Sequence, residues 1–164
     1  MRTGTFFRAD RHGMIRVVKK ASTPPASSPA VRDRMSTQAT RDTGPEMALR
    51  RELHGRGLRY RVNRRPDPTV RCTADIVFSR AKVAVFVDGC FWHRCPEHGT
   101  LPKANAQWWV AKLEGNAERD RRTDAELTRR GWLVLRFWEH TPTETAADEV
   151  ESALSRRAHE YTAT

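Results

Sequence analysis

One stretch, Val83–His98, constrains this chain more than any other: V-A-V-F-V-D-G-C-F-W-H-R-C-P-E-H. It opens as an apolar run of the length of a buried strand, too short for a core helix. It breaks at Asp88-Gly89, a turn signal. The residues that follow hold two cysteines, two histidines, a Phe-Trp pair and an arginine. A fold that buries this strand must deliver a carboxylate, thiols and imidazoles together at the strand's C-terminal end. That predicts a metal-dependent site there.

The flanking sequence supplies the frame. Thr43-Gly44-Pro45-Glu46 is a helix start, with Thr43 as N-cap, Pro45 near the first turn and Glu46 at the capping-box position. This helix is predicted to run to about Arg56, ending at Gly55 or Gly57. A short strand over Arg59–Val62 and a Pro-rich turn over Arg64–Thr69 come next. Ala74–Phe78 and Val83–Val87 read as strands joined by a hairpin connection, Ser79–Lys82. Asn105–Arg130 reads as one long helix, capped by Asn105 and stopped by Gly131. Trp109, Leu113 and Ala117 lie on one of its faces, and Lys112, Asn116 and Arg119 on a neighbouring polar one. Trp132–Trp138 is a third buried-type strand, and Thr143–His159 a last amphipathic helix. This order predicts an α/β fold, a small mixed central sheet flanked by helices. Strands 83–88 and 132–138, joined by a helix, should be parallel, which puts Cys90 and His140 at the same edge of the sheet.

Charge points to the partner. Thirty Lys+Arg against 20 Asp+Glu give a net charge of +10, a field that attracts polyanions, nucleic acid first. The three cysteines, Cys72, Cys90 and Cys95, make an odd count that argues against a disulfide framework and suits a reducing cytoplasm with thiolates on metal. No apolar run approaches the roughly 20 residues of a membrane span. Residues 1–34 look like a basic extension, with eight Lys/Arg against Asp10 and Asp33. Its Ser/Pro/Ala-rich run, Ala21–Ala30, is predicted to be disordered. A basic tail, an organelle transit peptide, or sequence upstream of a start at Met35 all fit that composition. The remainder, residues 35–160, is expected to form one domain.

Two ligand sets carry the chemistry. Cys90-x4-Cys95-x2-His98 is a compact group of zinc-type ligands, and His140 can reach it from the parallel strand. His93 is a fifth candidate. The competing reading is a pair of reduced core cysteines beside two surface histidines. The second set is all-oxygen. Asp75 interrupts an apolar strand, so it requires a cation, a hydrogen-bond donor or the solvent face. With backbone carbonyls and waters around the next strand's end at Val87-Asp88, it makes a hard-cation site suited to Mg2+. Such an ion stabilises charge at a phosphodiester, and His93 can accept the proton of the attacking water. Glu46 either joins through the ion's water shell or serves only the capping box.

The segments D-I-V-F, V-F-V-D-G-C-F-W-H, N-A-E-R-D-R-R and G-W-L-V-L-R-F-W-E-H, with A-T-R-D-T-G-P-E upstream, resemble the very short patch repair (Vsr) DNA mismatch endonucleases. The resemblance covers about Met35 to His140. It implies a type II restriction-endonuclease-like fold, a structural Zn2+ site and Mg2+-dependent nicking of duplex DNA. The implied cut lies 5′ of the T in a T:G mismatch left by deamination of 5-methylcytosine. By the same resemblance Asp75 is the metal-binding aspartate, the Val87 carbonyl the second Mg2+ ligand, His93 the catalytic histidine and Glu46 a supporting glutamate. Cys90 and His140 fall at zinc-ligand positions, with Cys95 and His98 completing the site. Phe91, Trp92 and Trp109 match aromatics that wedge into the base stack, and Lys112 and Asn116 match positions near the mismatched bases. Asp88 stands where some members have histidine, which allows it to support catalysis or bind metal directly. Implied partners are T:G-mismatched duplex DNA and mismatch-repair proteins. The protein is expected to act as a cytoplasmic, nucleoid-associated monomer. A sequence-specific restriction- or defence-type nickase without strict mismatch dependence is the alternative.

Overall fold

The computed structural model describes residues 5–9, 15–19, 23–25, 28–30, 32–33 and 41–162. Within the amino-terminal extension, strands β1 (Thr5–Ala9) and β2 (Ile15–Lys19) pair antiparallel as a two-stranded sheet of their own. Of the run Ala21–Ala30 the structure describes residues 23–25, without regular structure, and 28–30, which lead into a helical turn, while the expected boundary at Arg34 lies outside the described residues.

The main body is a four-stranded sheet in the order β3-β4-β5-β6. Its strands are β3 (Arg61–Arg64), β4 (Ala74–Phe78), β5 (Val83–Asp88) and β6 (Leu133–Trp138). Pairing is antiparallel from β3 to β5 and parallel between β5 and β6, so the sheet is mixed. Three helices flank it: α1 (Gly44–Gly55), α2 (Ala106–Arg129) and α3 (Thr143–Thr162). The first strand of this sheet sits two residues later than Arg59–Val62, because Arg61 pairs with Val77 and Tyr60 instead turns its hydroxyl onto the Arg50 carbonyl.

Alternation along β5 sorts the core into two halves. Val83 and Val85 face α1 and α3, packing with Leu49, Leu53, Ile76, Ala147 and Val150. Ala84 and Phe86 face the other way, toward Leu127 of α2 and Trp132. Helices α1 and α3 are also tied at their surfaces, where Arg56 donates to Asp148 (2.6 Å) and Glu151 (3.0 Å).

Both helices start where expected, but neither predicted N-cap side chain bonds its helix's backbone. Thr43 stands at the N-cap of α1 without bonding the backbone; its hydroxyl donates to Glu46 Oε1 at 2.9 Å, while Glu46 Oε2 accepts from the Asp42 N–H at 2.9 Å. The glutamate thus reaches one residue further back than a capping box requires. Asn105 precedes α2 in a left-handed conformation and makes no side-chain cap bond. The stop at Gly131 holds: its φ of 78° closes the helix where side-chain-bearing residues are disfavoured. Among the described residues no helix is long and apolar enough to cross a membrane.

Leu53 is fully buried between α1, the sheet and α3. Leu53→Ala should cost about 2–5 kcal/mol through lost transfer energy and a residual cavity, measured as a lower urea midpoint with an unchanged slope.

Candidate active site and metal centre

The candidate site gathers where β5 ends. Parallel pairing runs to the last residue, Asp88 opposite Trp138, and continues as the Glu139 N–H donates to the Asp88 carbonyl at 2.9 Å. Glu139 Oε1 in turn accepts from the Cys90 N–H at 2.8 Å. The turn after β5 then winds tightly: His93 N–H bonds the Gly89 carbonyl (3.1 Å), Cys95 N–H the Cys90 carbonyl (2.9 Å), and Gly99 N–H the Cys95 carbonyl (2.8 Å). Gly99 is required by close approach, since a β-carbon there would stand 2.4 Å from the Cys95 carbonyl oxygen.

This winding brings Cys90, Cys95, His98 and His140 together, with one ligand atom of each within 4.8 Å of all the others. Cys90 Sγ lies 3.1 Å from His140 Nδ1, His98 Nδ1 lies 3.1 Å from His140 Nδ1, and Cys95 Sγ lies 3.9 Å from both imidazole nitrogens. Tetrahedral bonds of ~2.05 Å to nitrogen and ~2.3 Å to sulfur separate ligand atoms by about 3.3–3.8 Å, so the donor set has the size of a four-coordinate N/S metal site. Burial, reinforced by Cys95 and Glu139, pushes the Cys90 thiol up to about 12 in the metal-free protein. Only a cation at the centre would make thiolate favourable there. Glu97 stands 3.7 Å from His140 Nε2, where it can orient the ring. His93 is not part of this cluster.

Asp75, near the start of β4, accepts the Val87 N–H on Oδ2 at 2.8 Å. N–H and C=O of one strand residue point the same way, so the Val87 carbonyl is directed to Asp75 as well. Burial is the main cause that pushes the Asp75 carboxyl up to about 6, opposed by the Val87 bond and reinforced by Glu46 and Asp88. A buried carboxylate in this condition suits a cation. Glu46 lies at the start of α1, 4% exposed and paired with Arg50 at 3.1 Å. Arg50 also bonds Asp42 and approaches the Asp75 carbonyl at 3.5 Å.

Asp88 is near enough to help raise the Asp75 carboxyl, but its own oxygens are taken by another residue. One residue along the strand from Val87, its side chain turns to the α2 side, and both its oxygens accept from Arg136 Nη1 at 2.8 Å. There an open cleft of about 250 Å³ is lined by Asp88, His93, Asp120, Arg121, Asp124 and Arg136. His93 Nδ1 is 2.7 Å from Asp120 Oδ2 and 3.6 Å from Asp88 Oδ1. Burial opposes charge on His93, but Asp120 and Asp88 outweigh it and raise the imidazole above its ordinary value. Facing carboxylates, Nδ1 carries the hydrogen and Nε2 keeps its lone pair when the ring is neutral. Asp120, Asp124 and Arg136 were not singled out in the sequence. Asp120 lies within N-A-E-R-D-R-R, one of the motifs carrying the resemblance.

The aromatic residues form one group. Phe91 packs edge-on to Trp92 (5.0 Å) and Trp109 (5.2 Å), and Trp109 to Trp108 (4.9 Å). Phe91 and Trp92 are half-buried, whereas Trp109 is buried. Lys112 is exposed. Asn116 is buried and its amide donates to the Trp92 carbonyl at 3.0 Å, fixing the aromatic turn to α2.

A model of the family described as DNA mismatch endonuclease Vsr matches residues 27–97. The type II nicking enzyme V.NaeI of Lentzea aerocolonigenes is 45% identical over 145 residues, covering 86% of this chain and 87% of that one. The type II nicking enzyme V.XorIIP of Xanthomonas oryzae pv. oryzae is 40% identical over 107 residues, covering 64% and 76%. The DNA mismatch endonuclease Vsr of Escherichia coli is 36% identical over 132 residues, covering 77% and 80%. With relatives of this identity matched over most of their length, the chain belongs to the Vsr DNA mismatch endonuclease family and is a DNA endonuclease.

Proposed function

We propose that the protein nicks duplex DNA 5′ of the T in a T:G mismatch arising from 5-methylcytosine deamination. The endonuclease domain would be residues 35–160, with a restriction-endonuclease-like sheet, and residues 1–34 an accessory basic extension. The observation that carries this reading is the pairing of two functions at one strand end: a buried carboxylate bonded at Val87, and an imidazole held by carboxylates a few residues on.

In this reading Asp75 and the Val87 carbonyl hold Mg2+. Held there, the ion would supply positive charge against the negative charge that develops on the phosphate. His93 accepts the water proton on Nε2, while Asp120 on Nδ1 holds the ring and balances the charge it acquires. Glu46 supports from the metal's outer sphere, although Arg50 already holds one of its oxygens. Asp88 supports from the histidine side, engaged with Arg136. Cys90, Cys95, His98 and His140 would hold Zn2+, which would pin the turn that carries His93. Phe91 and Trp92 offer apolar faces to a weakened base stack, with Trp109 packed behind them. Lys112 reaches toward DNA, and Asn116 acts by holding Trp92. The enzyme would work as a cytoplasmic, nucleoid-associated monomer alongside mismatch-repair proteins. The second reading, a sequence-specific nickase indifferent to the mismatch, draws on the relatives named type II nicking enzymes, a name that carries no mismatch requirement.

Asp75→Asn keeps an acceptor for Val87 but removes the anion, so Mg2+-dependent nicking should fall below detection while duplex binding stays intact. Retained cleavage would remove Asp75 from the mechanism. Folding raises this carboxyl from 3.8 to about 6. The metal-free fold is therefore most stabilised by this group below about pH 4, and that contribution is lost as pH rises through 6. The same variant should thus gain roughly 1–3 kcal/mol at pH 7 without metal, read as a higher melting temperature, and the gain should vanish at pH 4.

Cys90→Ser should lose bound zinc and stability together. Metal analysis beside thermal melting checks this, and a stable, zinc-free, active variant would contradict the structural role.

Duplex pools with randomised flanks around a central T:G or C:G pair separate the two substrate readings. Nicking 5′ of T confined to the T:G pool is expected, and equal cutting of both pools would establish the mismatch-independent one.

A further inference from the structure

Arg136 interrupts β6 between the buried residues Leu135 and Phe137. Its side chain points to the α2 side of the sheet and meets three carboxylates from two elements. Nη1 donates to both oxygens of Asp88 at 2.8 Å, Nε to both oxygens of Asp124 at 3.0 Å, and Nη2 lies 3.6 Å from Asp120 Oδ1. The guanidinium plane is fixed from below by the Phe86 ring, 4.4 Å from its centroid. Asp120 and Asp124 lie one turn apart on α2, where two carboxylates would otherwise repel.

Two of these three carboxylates continue to His93. Asp120 turns Oδ1 toward Arg136 and Oδ2 onto His93 Nδ1 at 2.7 Å. Asp88 Oδ1, held by Arg136, is 3.6 Å from the same nitrogen. The arginine therefore fixes both acids that flank one side of the imidazole, leaving Nε2 as the outward nitrogen. We propose that Arg136 is a positioning residue for the nicking reaction: through Asp120 and Asp88 it orients His93, and by engaging both Asp88 oxygens it keeps that carboxylate out of the metal site. This deepens the assignment of His93 as proton acceptor and rests on it. The planar guanidinium is suited to the task, because a single ammonium cannot serve carboxylates on opposite edges.

Arg136→Met should lower the single-turnover rate at saturating T:G duplex by about 10–100-fold, the order expected for a misplaced catalytic group. The duplex concentration giving half-maximal rate should stay within about twofold. Arg136→Lys should recover part of the rate. Because Arg136→Met removes the arginine partner of three acids, a second variant, Asp88→Asn/Asp124→Asn/Arg136→Met, removes the surplus charge and should show the same rate loss in a folded protein. Side-chain NMR of His93 supplies a readout that mere stability does not move. The hydrogen-bonded Nδ1 proton should be sharp in the natural protein, exchange-broadened without Arg136, and partly restored by lysine. A wild-type rate and an intact His93 signal in the Met variants would overturn the proposal. So would a loss that lies entirely in duplex affinity or melting temperature with that signal intact. His93→Ala in parallel separates the two layers: if it nicks normally, the role of His93 fails, while the NMR arm still decides whether Arg136 holds the ring.

Discussion

The parallel pairing of β5 with β6 is the constraint on which the site depends. Strands running the same way end at the same edge, so the turn after Asp88 and the residues after Trp138 meet. Had β6 run antiparallel, His140 would lie a strand's length away, about 20 Å for six residues, and the cluster with Cys90 could not form. Parallel pairing demands a long crossover, which α2 provides. That helix returns the investment by bringing Asp120, Asp124 and Asn116 over the same edge. Glu139 then locks the junction with one bond in each direction, its N–H to Asp88 and its carboxylate to Cys90.

Adjacent residues of β5 send their side chains to opposite faces, and the charges divide accordingly. On the α1 side Arg50 joins Asp42 and Glu46. On the α2 side Arg136 joins Asp88, Asp120 and Asp124. Asp75 stands between the two groups with a backbone N–H as its hydrogen-bond partner, and its carboxyl is the one raised to about 6. Each of the other acids has an arginine beside it, whereas the Asp75 carboxylate is held by a backbone N–H, at a position suited to a cation. A lysine beside Asp88, as in the E-x-K arrangement of many restriction enzymes, is absent from the sequence; Arg136 reaches that carboxylate from the next strand instead.

Periodicity made the frame legible. The three buried strands, the long helix and the parallel register all follow from apolar run lengths and from the helix between strands 83–88 and 132–138. The N/S cluster was legible for the same reason, since three of its members lie within nine residues and the fourth follows from parallel pairing. The α2-side network was not. Asp120, Asp124 and Arg136 look like a solvated helix face and a stray strand charge until the crossover angle lays one over the other, and no one-dimensional period encodes that angle. Asn116 misled in the opposite way: its place beside Lys112 suggested a polar surface, yet it is buried and spends its amide on Trp92. Asp88 was ambiguous because sequence order gives its proximity to Val87 but says nothing of the arginine that claims it.

The turn from Cys90 to Gly99 ties the Cys/His cluster to His93, the proposed proton acceptor. His93 lies between Cys90 and Cys95, and its own N–H is bonded back to Gly89. Its backbone therefore has little freedom once both thiols are held at one centre. Its ring is fixed separately, by carboxylates reaching over from α2 and β5. Two anchors on one residue, one through the main chain and one through the side chain, remove different degrees of freedom, so neither substitutes for the other. Loss of the cluster would free the backbone and displace Phe91 and Trp92 with it, so under the proposed function DNA contact would be lost together with catalysis. Loss of the α2-side network would leave the aromatic turn in place, held by Asn116, and free only the imidazole. The same ten-residue turn thus answers to two separable supports, and the kind of activity lost distinguishes which one has failed.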